Sequence, residues 1–240
     1  MSEGLITMDA ATRAADLAGR YGTLEGAALL AAVHTAFGGR VALVSSFGTE
    51  SAVLLALAAE ATPDFPVIFV NTGKLFGETL RYRDQLVKTL GLTDVREVGP
   101  TAEDLAAGDP QGMLFTKDYD ACCHLRKTVP LDRALVGLDA WVTGRKRFQA
   151  ATRAALPLFE AEGDRIKINP LASWDKDRLE EEFTRRALPR HPLEADGFLS
   201  IGCFTCTERV APGADPRSGR WAGSAKTECG IHTTMIGTAR

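Results

Sequence analysis

The sequence predicts an α/β fold: a parallel sheet with helices on both faces. Three observations carry this. Short apolar runs alternate with longer helical stretches, as in successive βαβ units. The first two runs end in turn-forming residues, Ser45-Ser-Phe-Gly and Asn71-Thr-Gly, where a strand would hand over to a helix. The length, 240 residues, can bury a sizeable core in one large domain or two small ones.

Taken in order, residues 8–20 and 25–37 read as helices, the second with apolar residues on more than one face (Ala27, Leu29, Leu30, Ala32, Val33, Phe37). Gly38-Gly39 stops it, and Val41–Val44 reads as a buried strand. Ser51–Ala61 is the next helix, Pro66–Val70 a second strand, 77–90 a helix and Asp94–Val98 a third strand. Trp141–Thr143 and Arg165–Ile168 are further strand candidates. Ser173 can cap a helix that runs to about Ala187, before Pro189. From His191 onward the chain is rich in Gly, Pro and polar residues and lacks a long periodic run, which reads as an irregular arm. The expected division is 1–206 for the α/β part with its N-terminal helices and 207–240 for the arm.

Composition narrows the function classes. Hydrophobic residues make up 45% and charged residues 25%, which is ordinary for a soluble globular protein. The longest apolar run, Ala52 to Ala59, is too short to cross a bilayer, so no membrane association is expected. No basic segment followed by an apolar core opens the chain, which points to the cytoplasm. With 28 Lys plus Arg against 31 Asp plus Glu the net charge is −3, which argues against a general nucleic-acid binder. Residues 121–153 nevertheless hold seven basic groups and two acids, and residues 207–240 five basic groups and three acids. Two basic segments in an acidic protein suit a small anion.

The five cysteines are Cys122, Cys123, Cys203, Cys206 and Cys229. An odd number without a secretion signal points away from a disulfide framework and towards metal or redox chemistry. Cys203 and Cys206 form a C-x-x-C, which lets two thiolates converge. Cys122 and Cys123 are adjacent, about 3.8 Å apart at Cα, too close for a relaxed disulfide. Two thiol pairs 80 residues apart suggest one four-thiolate site, and spacing alone leaves zinc and an iron–sulfur cluster both open. Cys229, in KTECGIH, is left over. Nearby positive charge would favour its thiolate, and Gly230 would leave room for a substrate.

The turn Ser45-Ser-Phe-Gly-Thr-Glu-Ser51 between a strand and a helix is a plausible anion cradle. Backbone N–H groups at a helix N-terminus converge there, with hydroxyls of Ser46 and Ser51. It lacks the Gly-Lys-Ser/Thr ending of a Walker loop and is not G-x-G-x-x-G. In an open parallel sheet this turn and Asn71-Thr72-Gly73 would share the carboxyl edge, where ligands bind.

Together the segments SSFGTES, FVNTGKLFGET, CCHLRKTVPL, WVTGRKRFQAATR, INPLASW, SIGCFTCTERVAPG, RSGRW and KTECGIH resemble the assimilatory phosphosulfate reductases, specifically the bacterial adenosine 5'-phosphosulfate (APS) reductases. The resemblance covers roughly residues 40–233. It implies an adenine-nucleotide α-hydrolase-like fold and thioredoxin-dependent reduction of APS to sulfite and AMP in sulfate assimilation, for cysteine biosynthesis. It implies a [4Fe-4S] cluster on Cys122, Cys123, Cys203 and Cys206, and Cys229 as the nucleophile that becomes S-sulfocysteine. Ser46, Gly48, Thr49, Ser51, Thr72 and Gly73 would hold the phosphosulfate, with Lys127, Arg145, Arg147, Arg217, Arg220 and His232 supplying positive charge. The Gly-Arg-Lys-Arg run allows more than one alignment among Arg145, Lys146 and Arg147. Thioredoxin or a glutaredoxin-like protein would be the reductant, and a homo-oligomer is implied. Two departures stand out: Thr227 where many relatives have a second Lys, and Ala222-Gly223 where several have another Trp. The rival readings are a 3'-phosphoadenosine 5'-phosphosulfate (PAPS) reductase, a zinc-stabilised nucleotide-binding module without catalysis, and a cluster-bearing electron carrier.

Overall fold

A computed structural model describes residues 8–224, 226 and 228–232, with His232 described in its backbone only. Its centre is a six-stranded sheet in the order β3-β2-β1-β4-β6-β5. The strands are β1 (Val41–Ser45), β2 (Val67–Val70), β3 (Val95–Val98), β4 (Ala140–Val142), β5 (Phe159–Glu162) and β6 (Arg165–Ile168). The first four and β6 run parallel, as the sequence predicts. The edge strand β5 departs from that expectation. It pairs antiparallel with β6 across a tight turn that Gly163 opens in the left-handed region, at φ 57°. The FEAE segment alternates apolar with polar residues, but two acids and one large apolar side chain in four residues do not mark a strand from sequence.

Alternate side chains of the central strands face opposite layers, the period-two consequence of a pleated backbone. Val41, Leu43, Val67, Phe69, Ala140 and Val142 belong to the larger core. Against this layer pack α1 (Ala10–Tyr21), α2 (Gly26–Ala36), α3 (Ser51–Ala61), α4 (Gly77–Leu90) and α8 (Lys176–Arg185). Helix α3 is buried on every side from Ala52 to Ala58, which explains why its sequence shows no polar face. Ala42, Ile68 and Trp141 face the other way, onto Leu131 and Leu135 of α7 (Val129–Ala134).

Three short helices, α7 among them, were not legible in the sequence. Helix α5 (Ala102–Gly108) is started by a capping box between Thr101 and Asp104. Helix α6 (Tyr119–Cys123) is capped by Asp118, whose side chain accepts from the backbone of Asp120 and Ala121 at 2.8 and 2.9 Å. A π-helical turn, His124–Thr128, joins α6 to α7. Pro130 accounts for it: its ring would clash with the carbonyl four residues back, at Arg126, so the winding loosens there. Helix α8 begins later than expected. Asp175, not Ser173, caps it by accepting from the Arg178 amide at 2.9 Å.

Beyond α8 the described chain holds three single 3₁₀ turns and two isolated bridges, Leu75 with Cys203 and Thr207 with Arg220. His191 anchors its start. The ring is buried, 4.9 Å from Tyr82 edge-on. Its Nδ1 accepts from the Leu193 amide at 3.2 Å, so Nε2 carries the proton and donates to Thr79 Oγ1 at 3.1 Å. Burial pushes the imidazole pKa down to about 4. The unfolded chain, titrating near 6.5, binds this proton first, so stability falls as pH drops through that window. Between pH 6.5 and 4 the loss from this residue should reach about 3 kcal/mol at most. Urea unfolding of the wild type and His191→Gln across that range checks it: the variant should show a shallower pH dependence.

Candidate active site

The sheet reverses its winding between β1 and β4, since β2 and β3 lie on one side of β1 and β4 on the other. Chains leaving those two strands diverge and open a crevice at the carboxyl edge. A cavity of about 580 Å³ occupies it. Ser46, Gly48, Thr49 and Ser51 line it from the β1–α3 turn, and Thr72 from the turn after β2. Phe47 takes a left-handed conformation, φ 49°, uncommon for a bulky residue. Full burial edge-on against Phe69, at 5.2 Å, holds it there. The turn after β4 contributes Arg145, and the chain beyond Ile201 contributes Arg217, Arg220 and Cys229. Lys127 reaches in from the π-helical turn.

Of the substrate-binding positions singled out in the sequence, two stand apart from this group. Arg147 turns away: its Nε donates to the Leu156 carbonyl at 2.9 Å, and its amide to Ala172 at 3.0 Å. Gly73 stands behind the cavity wall in a left-handed turn at φ 70°, beside the Arg126 guanidinium. The side chain of His232 lies outside the described residues. Among the Gly-Arg-Lys-Arg cations, Arg145 and Lys146 both line the cavity.

These two cations are already paired. The Arg145 guanidinium bonds Glu160 and, at 3.1 Å, Asn169 Oδ1. Lys146 Nζ, almost wholly buried, sits 2.7 Å from Glu50 Oε2 and donates to the Gly144 carbonyl at 3.0 Å. Burial lowers the Lys146 pKa. Glu50 precedes α3, so this pair ties the β1 turn to the β4 turn across the crevice.

Arg153, Gln149, Glu50 and Glu228 were not picked out in the sequence. Arg153 holds Glu228 in a fork, Nε to Oε1 at 2.8 Å and Nη2 to Oε2 at 2.6 Å. Its Nη1 donates to Gln149 Oε1 at 2.6 Å, and Gln149 Nε2 to Glu50 Oε2 at 2.6 Å. Arg153 lay within the basic segment and Glu228 beside Cys229, but nothing in local spacing joins residues 75 apart.

Cys229 is half-buried, and hydrogen bonding with Cys123 draws its thiol pKa well below the usual value. The charges of Lys127 and Arg220 and the backbone N–H of Ile231 act in the same direction, against the cost of burial. Burial alone would lower the Lys127 pKa, but the sulfurs of Cys229, Cys203 and Cys123 together raise it.

Cys122, Cys123, Cys203 and Cys206 are all buried, and none of the five thiols is in a disulfide. Burial raises the pKa of Cys122, and the nearby charges of Cys203 and Cys206 add to it. The helix α6 pair thus lies within electrostatic reach of the C-x-x-C. Thr72 Oγ1 lies 3.2 Å from Cys203 Sγ and Thr205 Oγ1 3.4 Å from Cys206 Sγ. Among the described residues no group of three His, Cys, Asp or Glu side chains converges on a point where one metal ion could sit. A cluster asks for something else: one thiolate per iron, arranged around a volume. The cation field fits an anionic group there. Arg220 lies among Cys229, Cys203, Cys206 and Cys123, and its buried Nε has no hydrogen-bond partner among the described residues. Behind the cysteines, Arg126 Nη2 pairs with buried Asp109 at 2.6 Å, and Nη1 donates to the Thr72 carbonyl at 2.9 Å.

Residues 40–209 match the family of the phosphoadenosine phosphosulfate reductase domain. This chain belongs to that family. The adenosine 5'-phosphosulfate reductase of Mesorhizobium japonicum is 52% identical over 227 residues, 94% of this chain and 89% of that protein. The enzyme of the same name from Rhodococcus erythropolis is 41% identical over 204 residues, 83% of this chain and 81% of its own. Among solved structures, the phosphoadenylyl-sulfate (PAPS) reductase of Candida auris in a phosphate complex superposes with a TM-score of 0.68 at 23% identity. It covers 87% of this chain and 99% of that one, and the shared fold is the adenine-nucleotide α-hydrolase-like one that the sequence implied.

Gly202 is the position most sensitive to this packing. A Cβ there would lie 2.2 Å from Arg220 Nη2, so alanine must push the flexible guanidinium aside. Moving that charge away from Cys229 is expected to raise the thiol pKa in Gly202→Ala. The pH dependence of alkylation at Cys229 checks this, with thermal unfolding expected to change little.

Proposed function

We propose that this protein reduces adenosine 5'-phosphosulfate to sulfite and AMP, with thioredoxin as the reductant and an S-sulfocysteine on Cys229 as the intermediate. The observation that carries the reading is the placement of Cys229 inside the β1–β4 crevice with Lys127 and Arg220 beside its sulfur. The relatives' name supplies the substrate.

In this reading the β1–α3 turn receives the phosphate end of the phosphosulfate with the Ser46 and Ser51 hydroxyls and the amides at the start of α3. The Cys229 thiolate attacks the sulfate sulfur in line with the S–O bond to the phosphate. That bond breaks, its electron pair goes to the phosphate oxygen, and AMP leaves. Lys127, Arg217 and Arg220 stabilise the growing negative charge there, in a cavity where screening is weak. A thioredoxin thiolate then attacks the Cys229 sulfur and releases sulfite. The second thioredoxin thiol resolves the mixed disulfide and returns Cys229 to the thiol state. Thioredoxin thereby supplies both electrons.

Cys122, Cys123, Cys203 and Cys206 would hold the [4Fe-4S] cluster, which supplies concentrated negative charge next to Lys127 and Arg220. A ligating Cys123 has no proton to share, so Lys127, Arg220 and the Ile231 amide then sustain the Cys229 thiolate. Five reduced thiols and a reduced thioredoxin suit the cytoplasm. Among the described residues no helix is long and apolar enough to cross a membrane.

The deciding experiment gives anaerobically purified protein equimolar APS and PAPS with thioredoxin and its reducing system. AMP with matching sulfite is the expected product pair. 3',5'-Bisphosphate with matching sulfite would instead make it a PAPS reductase by the same chemistry. Neither product, from protein shown to contain iron and acid-labile sulfide, would overturn the reading. Cys229→Ser is expected to abolish S-sulfocysteine on mass spectrometry while iron content stays unchanged; Cys203→Ser should lower the iron content itself.

A further inference from the structure

Glu228 is the residue immediately before Cys229, and it ties the arm to Arg153 in the wall of the cavity. Both of its oxygens are taken by the Arg153 fork, and the Thr152 hydroxyl reaches Oε1 at 3.3 Å. Arg217 Nη2 stands 3.6 Å from Oε2. The side chains of Arg153 and Glu228 are 8% and 14% exposed. The arm's other ion pair here among the described residues joins Lys226, 9% exposed, to Asp120, 80% exposed, so the carboxylate keeps its water and such a pair contributes less. Breaking a buried pair by removing one partner is far more costly, because the other charge is left without water or a partner.

Arg153 is itself fixed at both ends. It is held by Gln149, which is held by Glu50 at the entrance to α3, where Lys146 also docks. An unbroken polar chain therefore runs from the residue preceding the candidate nucleophile to the turn that would receive the phosphate. Burial alone would raise the Glu228 pKa, but the Arg153 hydrogen bonds hold it below the ordinary value, so the carboxylate is charged near neutrality.

We propose that Glu228 is a positioning residue: its fork with Arg153 latches Cys229 over the cavity for attack on substrate, and parts when a protein reductant takes the sulfur. The proposal rests on the reading of Cys229 as the nucleophile. Cys229 is only half-buried, yet a thiolate from another protein must approach along the bond to be broken. The pair has one anchored member, Arg153, and one that travels with the arm. The release is thus local, and the β1–β4 scaffold need not move.

The test separates the two half-reactions in Glu228→Gln, Arg153→Gln, the double variant, and the conservative pair Glu228→Asp and Arg153→Lys. Intact visible absorbance of the iron–sulfur centre and a cooperative melting transition above the assay temperature establish that each is folded. S-sulfocysteine formation from APS in a single turnover should slow by about a hundredfold in Glu228→Gln, the scale of a small misplacement of a reacting group. Release of sulfite by thioredoxin from preformed S-sulfocysteine should be as fast or faster. Without substrate, iodoacetamide should alkylate Cys229 faster in the variant, read at that residue by peptide mass spectrometry. The double variant should lose no more than either single one, since the pair acts as a unit. Unchanged alkylation together with unchanged formation overturns the latch, as do losses that multiply in the double variant. Because alkylation needs no substrate, it still reads the latch if the wild type forms no S-sulfocysteine; that result would sink the proposed function instead.

Discussion

Arg145, Lys146 and Arg153 are buried at one edge of a sheet, and each stands against a carboxylate from a different segment of the chain. Charges taken out of water need such partners or lose their charge. The pairing decides much else. It closes the β1 turn onto the β4 turn through Glu50, and β5 onto the crevice floor through Glu160. It brings in the arm through Glu228. What remains around the candidate sulfur are Lys127 and Arg220, whose nearest counter-charges are cysteines.

The same logic sorts the cations by task. Arg145 and Arg126 hold protein: their guanidiniums are taken by Glu160 and Asn169 in one case, and by Asp109 and the Thr72 carbonyl in the other. Arg220 is different, since a buried N–H has no acceptor among the described residues. A local count of basic residues cannot make this distinction, because it depends on what each head group meets across the fold.

That is also where reading the sequence stopped. The strands read at Val41–Val44 and Pro66–Val70 were visible because they depend on local spacing. So was the carboxyl-edge placement of Ser46 and Thr72, which follows from topology alone. The FEAE strand was invisible because its pairing, not its composition, makes it a strand. Arg147 looked equivalent to its neighbours until its Nε was seen on the Leu156 carbonyl. The fork between residues 153 and 228 has no signature shorter than the whole fold.

The last forty described residues carry almost no ladder. Two isolated bridges and single 3₁₀ turns tie them down, whereas every parallel strand is bonded to at least one neighbour throughout its length. In terms of exchange with heavy water, such a molecule has two tiers. Amides of β1 and β4 are released only when the whole domain unfolds, and those of the arm by small openings that leave it intact. The candidate sulfur of Cys229 rides on the faster tier, so openings that leave the sheet intact would be enough to uncover it.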